Sequence, residues 1–193
     1  MNKPTVLRIV FVAVILIGVT AFLAIKLFLF VSGVNENIAL TKQLAPAFIK
    51  QLNGKQKSDF PYLPGPIAWD GKYLQIDDAT VESETYGYLN FVYNKERNEK
   101  LNTARFFPGN DLNGVVWLHS NANIVGQYSG GGQAFQPYYV LFYIDLKQNA
   151  ILAQDTLWGS MPPKSISATN MGGVGKAPKE QDVIQAIKDR MGD

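Results

Sequence analysis

An α+β domain behind a single N-terminal transmembrane helix is the fold class that this sequence predicts, and three observations predict it. Residues 9–25 form a run of 17 uncharged, mostly apolar positions. From Ile67 to Gly159, β-rich runs alternate with turns built from Gly, Pro, Asn and Asp. From Pro178 the chain closes on an amphipathic helical pattern.

The anchor comes first. After Ile25, Lys26 interrupts the apolar run, and LFLFVSGV carries it on to Val34. As a helix rising ~1.5 Å per residue, residues 9–34 are long enough to cross a ~30 Å hydrocarbon core with tilt. Lys26 is placed past the midpoint, where its ammonium can snorkel to the outer headgroups or meet an acid on a partner helix. The alternative is a cleaved signal peptide, but such apolar regions run only about 7–15 residues. Lys3 and Arg8 place the N-terminus inside, so a single-pass protein of the inner or cytoplasmic membrane is expected, with its C-terminal domain extracytoplasmic.

The organisation expected is an anchor at 1–34, a juxtamembrane helical segment at 35–55 and a globular domain at 56–193. In the second segment Ile38, Leu44, Phe48 and Leu52 approximate a helical stripe, and Pro46 predicts a break near Ala45. Three prolines and a glycine make 55–66 a loop. Strands are expected at 71–77, 85–93, 101–107, 115–120, 123–128, 134–146 and 150–159, with 94–100 as a polar turn. Short links between them predict an antiparallel meander of five to seven strands. Pro137 marks an irregular start or an edge in the longest strand. Residues 160–178 read as a loop. In the closing helix Val183, Ile187 and Met191 form the apolar stripe, with Glu180 and Asp182 near its start and Lys188 and Arg190 near its end.

Composition narrows the function. The chain has 193 residues, a net charge of +2 and no cysteine, which excludes a disulfide framework, a zinc–cysteine site and a cysteine nucleophile. Setting aside Lys3, Arg8 and Lys26 leaves 15 basic residues against 16 acidic ones. No basic stripe survives, so no nucleic-acid partner is expected.

Val125 to Ile166, followed by a Gly-rich loop, Pro178 and a closing helix, resembles a group of small bacterial membrane-anchored envelope proteins that have no assigned activity. The resemblance spans about a third of the chain and rests on hairpin and turn residues. It implies an envelope location and supplies no catalytic residues.

Motifs for chemistry are sparse. His119 is the single histidine, so a Ser-His-Asp hydrolase must use it. GGVGKAP at 172–178 lacks the spacing of a phosphate loop. The acidic run DDATVESE, from Asp77 to Glu84, reads as a solvated turn. No metal or cofactor is implied. Tyrosines are the most distinctive feature: Tyr86 and Tyr88 share one face of a strand, and Tyr139 and Tyr143 one face of another. The expected function is non-catalytic interaction or assembly with other envelope proteins. The alternatives are a ligand-binding module using Tyr86, Tyr88, Tyr139 and Tyr143, and, less favoured, a hydrolase using His119.

Overall fold

The computed structural model describes residues 3–44, 50–83, 87–165 and 172–192, with side chains described from Ile15 onward and not at 81–83 or 87. Helix α1 spans Lys3–Gln43 without a break. β1 is Tyr73–Ser83 and β2 Gly87–Tyr93. A short helix, α2, follows at Lys95–Lys100. β3 is Gly114–Gln127, β4 Gln133–Asp145, β5 Ala150–Trp158 and β6 Gly172–Val174. Helix α3, Glu180–Met191, closes the chain.

The fold is α+β, with an N-terminal apolar helix, a sheet and a C-terminal helix, but the sheet is mixed and is not a meander. Its order is β2-β1-β3-β4-β5, with β6 also on β4. β1 pairs with β3 in parallel, from Tyr73 beside Gly114 to Asp77 beside Leu118. The physical reason lies in residues 94–113, which carry the chain back to the start of β1. The polar stretch at 94–100 is helical because Asn94 caps it, its side chain accepting from the backbone N–H of Arg97. Residues 101–107 form a turn and a 3₁₀ segment at Ala104–Phe106 rather than a strand. Turn and helix together make the crossover that a parallel pair requires.

The two runs expected at 115–120 and 123–128 are one strand. β3 and β4 pair antiparallel from Gly114–Asp145 to Gln127–Gln133, with one bulge between Ile124 and Gly126. Pro137 sits where the far side of β4 changes partner: β5 pairs with Tyr138–Asp145 and β6 with Gln133–Phe135. The missing proline N–H therefore interrupts no ladder there. β6 lies inside the segment expected to be a loop. Gly175 allows this approach, because a Cβ on it would fall 1.8 Å from the Ser160 carbonyl oxygen.

Each face of the sheet carries its own core. The first holds Leu74, Ile76, Phe91, Tyr93, Val115, Trp117 and Ile144, sealed by Leu44, Leu52 and Phe60. The second holds Tyr73, Val116, Leu118, Leu141 and Tyr143, sealed by Trp69 and by Val183 and Ile187 of α3. Strand alternation sorts the residues between them. The end of α1 is built into the first core. Thr41 Oγ1 donates to the Asn37 carbonyl and accepts from the Tyr93 N–H at 2.8 Å. Asn37 Oδ1 accepts from the Lys95 N–H, and Glu36 pairs with Lys95 at 2.5 Å.

Candidate functional site

Of the four tyrosines, the three that are described, Tyr88, Tyr139 and Tyr143, do not share one site. Tyr139 and Tyr143 share the second face, where Tyr143 is fully buried beside Val183 and Ile187 and Tyr139 is partly buried against the same cluster. Burial first, and then the charge of Asp155, raises the Tyr143 phenol above the ordinary tyrosine range. The Asp155–Arg190 ion pair ties β5 to α3 at that place. Tyr88 is exposed and lines a separate cleft, and Tyr86 lies outside the described residues.

That cleft opens where β1 and β3 part. Their parallel pairing ends at Asp77 and Leu118, and β1 breaks register with β2 between Asp78 and Val81. The space is about 390 Å³, lined by residues 54–57, Asp78–Thr80, Tyr88, Asn90 and Ser120. Residues 53–55 run beside β2: Asn53 Nδ2 donates to the Tyr88 carbonyl, and Asn90 Nδ2 donates to the Lys55 carbonyl.

At the base of the cleft, Asp78 gathers three donors. Lys57 and the Trp117 indole N–H both donate to Oδ1, the indole at 3.1 Å. His119 Nδ1 lies 2.6 Å from Oδ2. Lys57 Nζ also sits 4.8 Å from the centroid of the Trp117 ring. Burial raises the Asp78 pKa, but the hydrogen bonds from Lys57 and His119 and their charges outweigh it, so the carboxyl lies below its ordinary range. Among the described residues no hydroxyl hydrogen-bonds to His119, so the nucleophile–base contact of a hydrolase is not formed there. The arrangement satisfies a buried indole and fastens the Lys57 segment to the sheet.

From Asp77 to Ser83 the acidic run is strand rather than turn, and its first two carboxylates go opposite ways; Glu84 lies outside the described residues. Asp77 faces the second side, where it pairs with Arg97, which Glu180 of α3 also holds through both carboxylate oxygens. Arg97 is only 7% exposed. This cluster joins β1, α2 and α3. Sequence reading missed both clusters; the available signal was the strand rule that consecutive residues face opposite sides. Applying it required knowing that β1 continues past Asp77. Among the described residues, no three His, Asp or Glu side chains converge to hold a metal ion.

Two exposed apolar surfaces stand out among the described residues. One is the apolar length of α1. Within Ile15–Gln43 the most apolar 18-residue window has a mean hydropathy of 2.4, and none of it is buried. Lys26 lies in this stretch, exposed, with its Nζ 5.7 Å from the centroid of the Phe22 ring. The other is the outer half of the β3–β4 hairpin, which extends beyond the β1 pairing. Ile124, Phe135 and Val174 form one cross-strand row there, with Ile124 and Val174 exposed. No protein-family model, no curated protein and no solved structure matches the chain.

Proposed function

We propose that the protein is a bitopic membrane protein whose extracytoplasmic domain acts by binding other envelope proteins rather than by catalysis. One observation carries this reading: α1 runs unbroken from its exposed apolar length into the domain, where Thr41 and Leu44 are buried. An apolar helix surface of that length needs a nonpolar environment. Its continuity with the core means that no flexible linker separates tether from domain. Lys3 and Arg8 favour the N-terminus on the cytoplasmic side. The exposed row on the hairpin, Ile124 and Val174, offers the domain's contact surface.

Crosslinking and co-purification of the full chain from its native membrane, beside residues 35–193 alone, test this. A stoichiometric partner whose capture is lost on substituting Ile124→Asp with Val174→Asp supports the reading. A partner lost only with the anchor assigns the contact to α1, with Lys26 the first residue to change. No partner with any form counts against assembly. Of the tyrosine positions, only the Tyr88-lined cleft is then open to a ligand among the described residues, because Tyr143 is sealed beneath α3.

A further inference from the structure

We infer that the cleft between α1 and α2 seats the headgroup of a zwitterionic phospholipid, so that α2 rests on the membrane surface. The inference rests on α1 spanning a bilayer and adds where the surface lies and what touches it. The cleft is about 470 Å³. One wall is the last two turns of the apolar length of α1, with Leu29, Phe30 and Val34 all exposed. The other is polar, with Lys95, Glu96 and Glu99 of α2. A nonpolar wall facing a charged one across a narrow gap matches the boundary between acyl chain and headgroup.

Length agrees. With the boundary at Phe30, residues 9–30 lie below it, and at ~1.5 Å per residue they give ~33 Å of helix for a ~30 Å core. Lys26 is then one turn beneath the headgroups, within reach of them. Charge selects the lipid. Lys95 is paired with Glu36, and Lys100 with Glu96. Glu99 forms no ion pair among the described residues, so the cleft presents a carboxylate that suits a headgroup ammonium and repels an anionic lipid.

The full chain has no cysteine, so single-cysteine spin labels report without background. Labels go on Leu16→Cys, Gln43→Cys and Lys100→Cys in phosphatidylethanolamine–phosphatidylcholine nanodiscs containing a nickel-chelating lipid. The Leu16 label is expected to be oxygen-accessible and shielded from aqueous nickel, which tests the spanning helix by itself. The Lys100 label is expected to relax strongly against the headgroup nickel, and the Gln43 label, ~20 Å above Phe30 along the helix, weakly. A buried Leu16 label with Lys100 relaxing no more than Gln43 overturns the seat and leaves the anchor standing. A water-exposed Leu16 label overturns both. Lipid identity is read by native mass spectrometry after release from an equimolar phosphatidylethanolamine and phosphatidylglycerol bilayer. About fivefold retention of the zwitterionic lipid is expected, abolished in Glu99→Gln. Equal retention, or preference for the anionic lipid, overturns the ammonium assignment.

Discussion

Asp78 accepts from an ammonium, an indole and an imidazole, and replacing the carboxylate removes the charge that all three donors face. Asp78→Asn keeps the shape and removes the charge. It is expected to lower stability at pH 7 by about 1–3 kcal/mol, measured by urea unfolding. The sign of its pH dependence follows from the lowered pKa. A carboxyl held below its unfolded value of about 3.9 contributes fully above that value, and the contribution is lost as pH falls through the folded pKa. The gap between wild type and Asp78→Asn should therefore close as pH falls below about 4. A gap that stays constant down to pH 2 would remove the carboxylate from the account. On the other side of β1, Arg97→Ala leaves Asp77 and Glu180 without their shared cation. About 2–4 kcal/mol of destabilisation is expected there. Glu180→Ala should cost less, because that carboxylate is 39% exposed and water replaces part of what is lost.

At the scale of elements, Gly175 decides whether β6 can reach the sheet. Its N–H donates to the Phe135 carbonyl, and the neighbouring Lys176 carbonyl accepts from the Ser160 N–H. Gly175→Ala forces two backbones apart, with an expected cost of about 1–3 kcal/mol in urea unfolding. Gly130→Ala meets nothing within 4 Å and should be near neutral. These glycines explain which elements were legible in the sequence and which were not. β4, β5 and α3 were readable because hydrophobic alternation and helix-end charges are local signals. β6 was not, since a three-residue strand carries no period, and GGVG looks the same whether it is a loop or a close backbone approach. The parallel β1–β3 pair was also hidden. Short apparent links argue for hairpins, and nothing local distinguished a polar turn at 94–100 from a capped helix that returns the chain. The same non-locality hid the candidate site. Asp78, Lys57 and His119 lie 21 and 41 residues apart. Only the register of β1 against β3 brings the aspartate and histidine side by side.

For the whole molecule, burial sets where the exposed apolar length of α1 ends and the domain begins. Glu36 and Asn37 bond to α2's first residue, Thr41 bonds to β2, and Leu44 fills the first core with 1% exposure. Ile15 to Val34, by contrast, pack against nothing in the domain's two cores. Removing residues 1–34 should therefore leave a domain that unfolds in one cooperative transition. Removing residues 1–49 deletes Thr41 and Leu44 together. Losing a buried leucine alone costs about 2–5 kcal/mol, and an unmet Tyr93 N–H adds about 1–3 kcal/mol. That total approaches the 5–15 kcal/mol that typically holds a domain folded. Residues 50–193 should thus show a broad, weakly cooperative thermal transition by circular dichroism. Leu44→Ala within residues 35–193 should fall between the two. If residues 50–193 melt as sharply as residues 35–193, and at the same temperature, the end of α1 only leans on the core. The rigid coupling of α1 to the domain would then fail, and with it the fixed orientation that the proposed membrane anchor requires.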